Sequence, residues 1–173
     1  MRIGILTISD AGVRGERQDT SGDAIASWAQ ARGASLTARS LVPDETSRIA
    51  AQLATWADSG EVDLILTTGG TGLTPRDVTP EATKAVLERE APGISEALRA
   101  SVLATFPRAA LSRGIAGVRG KTLIVNLPGS TSGVMDGLRV LEQWVDHAID
   151  LVKGEQTDHP GSVRRSDSQT VRP

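Results

Sequence analysis

The 173-residue chain is 39% hydrophobic and 23% charged, enough to bury one ordinary core without staples and not the composition of a disordered chain. A formal net charge of −2 provides no basic field and argues against nucleic-acid or membrane-surface binding. The absence of cysteine excludes disulfides, thiolate nucleophiles and Cys-type metal sites together, and it suits a reducing, cytoplasmic setting.

Residues 2–9 (Arg-Ile-Gly-Ile-Leu-Thr-Ile-Ser) read as a first strand rather than a signal peptide. Residues 10–20 are polar, contain glycine and read as a mobile connection. A helix is predicted over 21–32, with Ile25, Trp28 and Ala29 on one face and Gly33 as its stop. Residues 35–42 form strand two, Pro43-Asp44-Glu45 a turn, and 45–58 a helix with Ile49, Leu53 and Trp56 as its apolar stripe. Leu64–Thr68 is apolar throughout and reads as a buried parallel strand. It runs into Gly69, Gly70, Thr71 and Gly72, then Arg76-Asp77, then Thr79 as N-cap and Pro80 as first residue of a helix over 80–89.

Pro92-Gly93 precedes a helix over 94–105, which Phe106-Pro107 ends. Residues 111–118 read as two short strands around a turn, and 121–127 as an apolar strand. A second glycine loop, residues 128–133, leads to one long helix over 134–153. Domain organisation is therefore one domain, 1–153, and a polar, aperiodic tail, 154–173, expected to be disordered. No run approaches the roughly 18 apolar residues of a membrane span. Trp28, Trp56 and Trp144 all fall in helical patterns and are assigned to packing. His147 and His159 are too few and too late for a His metal site or a Ser-His triad.

Strands alternating with helices predict a three-layer α/β/α domain, its mainly parallel sheet covered on both faces. Ligands of such sheets bind at the carboxyl ends of the strands. That edge gathers Ser9-Asp10, residues 43–45, residues 69–77 and residues 126–133. The first glycine loop offers converging N–H groups, a common anion cradle. It lacks both the terminal Gly-Lys-Ser/Thr of the Walker loop and the G-x-G-x-x-G of dinucleotide folds. Asp44 and Asp77, carboxylates beside such a cradle, suit Mg²⁺ carrying a nucleotide. Each also has a plain structural use: Asp44 can cap the following helix, and Asp77 can hold the loop. Asn126, Gly129 and Ser130 form a second cradle or an ordinary strand-to-helix turn. Ser9-Asp10 either meets ligand or caps the next turn. Ser112-Arg113 brings a hydroxyl and a cation, or belongs to a surface hairpin.

Taken whole, residues 64–83 resemble the signature of the MogA/MoaB family, which includes the G domains of gephyrin and its plant counterpart. Thr7-Ile8-Ser9-Asp10, Val42-Pro43-Asp44-Glu45, Leu111-Ser112-Arg113 and Asn126-Leu127-Pro128-Gly129 are similar to its other motifs, in order and at fitting spacing. The resemblance implies a domain, usually trimeric, that binds molybdopterin and transfers AMP from Mg-ATP to its terminal phosphate, releasing pyrophosphate. It implies Mg²⁺ and catalytic roles for Asp44 and Asp77, an active-site loop at Gly69, Gly70, Thr71 and Gly72, and pterin neighbours at Ser112, Asn126, Pro128 and Gly129. A separate metal-inserting protein is the expected partner. A non-catalytic pterin-binding or scaffold protein of the same fold is the alternative.

Overall fold

Three runs without a charged residue in their interiors fill the middle of one six-stranded sheet: β1 (Arg2–Ile8), β3 (Leu64–Thr68) and β6 (Thr122–Leu127). The computed structural model describes residues 1–155, and the predicted tail beyond Glu155 lies outside them. The remaining elements are a one-turn helix α1 (Asp10–Val13), α2 (Thr20–Ala31), β2 (Ser35–Val42), α3 (Thr46–Asp58), α4 (Thr79–Val86), β4 (Arg89–Glu90), α5 (Pro92–Leu103), a 3-10 turn (Pro107–Leu111), β5 (Ala116–Arg119), α6 (Thr131–Leu141) and α7 (Val145–Lys153). Strand order is β2-β1-β3-β6-β5-β4. The β2–β1, β1–β3 and β3–β6 pairs are parallel; β5 runs antiparallel to β6 and to β4.

Side chains alternate across the central strands and so feed two cores. On one face Ile3, Ile5, Leu64, Leu66, Leu123 and Val125 pack with Ile25 and Trp28 of α2, Val134 and Leu138 of α6 and Ile149 of α7. On the other, Leu6, Ile8, Ile65 and Ile124 pack with Ile49 and Leu53 of α3 and Ala82 and Val86 of α4. The predicted three-layer α/β/α architecture is the one observed. The tryptophans pack as expected: Trp28 lies in the first core and donates from Nε1 to Glu142 (2.8 Å), Trp144 packs against the same core, and Trp56 against the second.

Local departures have local causes. Residues 10–13 are a helical turn rather than loop, because Ser9 Oγ accepts from the Gly12 N–H (3.0 Å) and caps it. The predicted helix over 80–89 ends at Val86, freeing Arg89–Glu90 to pair as β4 with β5. Thr79 is inside α4 rather than its N-cap; Val78 takes that position, and the Thr79 hydroxyl donates to Gly69 O (2.9 Å). Residues 111–118 hold one strand, not two: Leu111 ends the 3-10 turn, residues 112–115 belong to no regular element, and β5 starts at Ala116. The long last helix is two, α6 and α7, separated by a turn at residues 142–144.

Candidate functional site

β2 lies on one side of β1 and β3 on the other, so the chain reverses its direction of travel across the sheet at β1. In open α/β sheets the crevice at that reversal, outside the carboxyl ends of the strands, is where ligands bind. A cavity of about 750 Å³ opens there. Its wall includes Ser9, Asp44, Gly69, Gly70, Thr71, Gly72, Asp77, Ser112, Asn126, Pro128, Gly129 and Ser130. Of the residues singled out from sequence on this edge, Asp10, Arg76 and Arg113 are not part of the wall. One further side was not anticipated: Leu98 and Val102 of α5, with Phe106 before the 3-10 turn and Leu111 at its end, give the cavity an apolar flank. The spacing of Leu98 and Val102 along α5 reads equally well as core, while Phe106 reads as a helix stop and Leu111 as strand, which hid them.

Glycine is required at the junction for two reasons. Gly69 and Gly70 have φ of 99° and 63°, in the left-handed region. A Cβ on Gly69 would also lie 2.2 Å from Ile8 O, and one on Gly70 2.3 Å from Thr79 Oγ1. The second loop presses on the first, since a Cβ on Gly129 would stand 3.1 Å from the Gly69 Cα. The Thr68 hydroxyl donates to Pro128 O (2.7 Å) and ties the two loops together.

Asp44 does not cap α3. Glu45 occupies that position and makes no side-chain cap bond. Asp44 instead exchanges hydrogen bonds with Asp10: the Asp10 N–H donates to Asp44 Oδ2 (2.8 Å) and the Asp44 N–H to Asp10 Oδ1 (3.0 Å). Asp44 Oδ1 faces Gly70, 3.1 Å from where a Cβ there would stand. Burial raises the Asp44 carboxyl above its ordinary range; the Asp10 N–H opposes this, and the charges of Asp10 and Asp77 add to it. Asp77 is both loop staple and wall. Its Oδ2 accepts from the Thr74 N–H (2.8 Å) and hydroxyl (2.6 Å). Burial pushes this carboxyl up, but the Thr74 and Gly72 donors and the nearby Arg113 hold it below its ordinary value.

Arg113 is not part of a surface hairpin. Its N–H donates to Thr71 O (2.9 Å), its Nε to Gly72 O (2.7 Å), and its guanidinium also reaches Asp77 O and Glu81. It straps the first glycine loop. Arg99 of α5 does the same for the opposite rim, donating to Gly114 O (2.9 Å) and Ser112 O (3.4 Å). The Asn126 amide is spent within the fold: Nδ2 donates to Thr67 and Thr83 hydroxyls (2.9 and 3.0 Å) and Oδ1 accepts from the Ile115 N–H (3.2 Å). Ser9 and Ser130 both cap helices, the latter accepting from the Gly133 N–H (3.2 Å).

The donor chemistry fits Mg²⁺ brought by a ligand. Asp44 and Asp77 both line the cavity and supply hard carboxylate oxygens. Among the described residues, no group of three or more His, Asp or Glu residues could hold an ion unaided. Among them, too, no helix is long and apolar enough to cross a membrane.

Fold and site together define an open α/β domain with a glycine-walled, two-carboxylate cavity at its topological switch. Residues 4–147 match the family described as a probable molybdopterin binding domain, and the chain belongs to that family of molybdenum cofactor biosynthesis domains. It is similar to the crystal structure of the molybdopterin biosynthesis enzyme MoaB from Thermus thermophilus, with 53% identity and a TM-score of 0.84 over 88% of this chain and 96% of that one. It is 35% identical to a molybdopterin adenylyltransferase of Helicobacter pylori strain J99, over all of this chain and 97% of that protein. The Drosophila melanogaster molybdenum cofactor synthesis protein cinnamon is 41% identical over 86% of this chain. The chain spans about a quarter of the length of cinnamon and of Dictyostelium discoideum gephyrin (25% and 24%).

Proposed function

We propose that the chain is a molybdopterin adenylyltransferase, transferring AMP from ATP to the terminal phosphate of molybdopterin with release of pyrophosphate. The observation that carries this reading is the meeting of Asp44, Asp77 and two glycine loops around one cavity at the strand ends. Relatives named for this activity, one matched along nearly its whole length, supply the substrate.

The apolar flank of Leu98, Val102, Phe106 and Leu111 suits a flat ring system, and the glycine loops opposite suit phosphates, whose oxygens backbone N–H groups can approach where no Cβ intervenes. Asp77, kept ionised by Thr74 and Gly72, and Asp44, whose Oδ1 faces the loop, would hold Mg²⁺. Bound there, the ion would neutralise phosphate charge and favour departure of pyrophosphate. The chain's own residues do the positioning: Arg113 and Thr79 fix the first loop, and Ser130 fixes the second. Little base assistance is needed, because a phosphate nucleophile is already ionised at neutral pH. A trimeric assembly, a cytoplasmic setting and a separate metal-inserting partner belong to the same reading.

The test is chromatographic detection of adenylated molybdopterin from fresh molybdopterin, Mg²⁺ and ATP. Wild type should form it, while Asp77→Asn should lose about a hundredfold or more in turnover with pterin affinity nearly kept. Pterin binding without product in wild type would make the chain a binding or scaffold protein instead.

A further inference from the structure

The sequence offers Asp10 for ligand contact, yet it does not line the cavity. Its carboxylate lies behind Asp44, and the two residues exchange backbone-to-carboxylate hydrogen bonds of 2.8 and 3.0 Å. That arrangement sets two anions side by side, and amide bonds, though favourable, bring no opposite charge to either. The missing charge comes from Arg76 in the first glycine loop. Its Nε donates to Asp10 Oδ2 and its Nη2 to Asp10 Oδ1, both at 2.9 Å, a fork of the kind only arginine presents to a carboxylate. The guanidinium is itself outside the cavity wall and its side chain is 58% exposed, so the pair adds little to global stability.

We infer that Arg76 is a positioning residue that acts through Asp10 to hold the Asp44 carboxylate in place for Mg-ATP. The inference rests on the adenylyl-transfer reading. With Arg76 in place, the negative charge of Asp10 is matched, Asp10 keeps the rotamer that meets the Asp44 N–H, and Asp44 Oδ1 stays aimed past Gly70. Without Arg76, Asp10 is free to turn towards solvent, and Asp44 loses the partner that fixes its backbone. One guanidinium thereby joins the β1–α1 junction, the β2–α3 turn and the loop after β3, three segments that sequence leaves far apart.

The test is calorimetric titration of ATP, with Mg²⁺ and with EDTA, into wild type, Arg76→Ala, Arg76→Lys, Asp44→Asn and the Arg76→Ala/Asp44→Asn double variant, each checked by thermal melting. Wild type should gain affinity from Mg²⁺, and Asp44→Asn should lose most of that gain. Arg76→Ala should lose about tenfold of it, Arg76→Lys less, and the double variant should bind no worse than Asp44→Asn. Molybdopterin affinity should not move. Full additivity in the double variant would overturn the inference, because Arg76 would then act independently of Asp44; so would an unchanged Mg²⁺ gain in Arg76→Ala, or no such gain in wild type. If Arg76→Ala does not fold, Arg76→Lys decides by the same criteria. Product formation by wild type is assayed in parallel: its absence removes the adenylyl-transfer reading, whereas product with an unaffected Arg76→Ala removes only the role of Arg76.

Discussion

The two glycine loops meet at the same point and are held differently. The second, residues 128–130 between β6 and α6, is closed locally: Ser130 caps the helix it introduces. The first, residues 69–78 between β3 and α4, has no side-chain cap at its helix. Within it Asp77 staples Thr74, and the Thr79 hydroxyl at the start of α4 meets Gly69 O, but the Thr71 and Gly72 carbonyls are met from far along the chain by Arg113. The Thr68 hydroxyl adds a tie from β3 to Pro128 O in the second loop. The first loop, which carries Asp77, is strapped in addition by Arg113, 41 positions away in the chain from Gly72.

That contrast is broken most severely at Gly69. Gly69→Ala adds a Cβ 2.2 Å from a backbone carbonyl at a φ of 99° and should cost about 4 kcal/mol, whereas Gly129→Ala, with only a 3.1 Å approach and no positive φ, should cost about 1 kcal/mol. Denaturant titration of both variants measures the difference. Arg113→Ala should come next, at about 2 kcal/mol by the same method, because it strips donors from Gly72 and Asp77 carbonyls together. Adenylyl transfer should fall with it.

A control lies at the opposite edge of the sheet. Burial would raise the Asp63 carboxyl, but Arg2 and Lys153 prevail and hold it at about 2. Since the folded value lies below the unfolded one, the stability it contributes is present above about pH 4 and lost as pH falls towards 2, about 2 kcal/mol in all. Asp63→Asn should flatten that acid limb of the stability curve and leave ATP binding alone. Ser130→Ala should cost about 1 kcal/mol for a lost cap in the same denaturant titration, as little as Gly129→Ala.

These regions also separate what sequence exposes from what it conceals. The apolar runs of β1, β3 and β6 and the glycine cluster were legible because each is written in consecutive residues. β4 was not, since Arg89 and Glu90 pair only because β5 lies beside them. The break between α6 and α7 falls at Glu142, Gln143 and Trp144, with no glycine or proline to announce it. In the site, the cavity wall was found from the strand-end rule, but the Arg113 strap and the Arg76–Asp10–Asp44 chain link residues 34 to 66 positions apart. Thr79 shows the limit most sharply: its residue type fits an N-cap, but Gly69 O claims its hydroxyl instead.

At this edge of the sheet an adenylyl group, not a phosphoryl group, is expected to move. The decisive experiment follows isotope from ATP labelled at the α-phosphorus, or separately at the γ-phosphorus, into molybdopterin. α-Label is expected in the pterin product and γ-label in pyrophosphate. Label from the γ-phosphorus in the pterin, with ADP as co-product, would contradict adenylyl transfer.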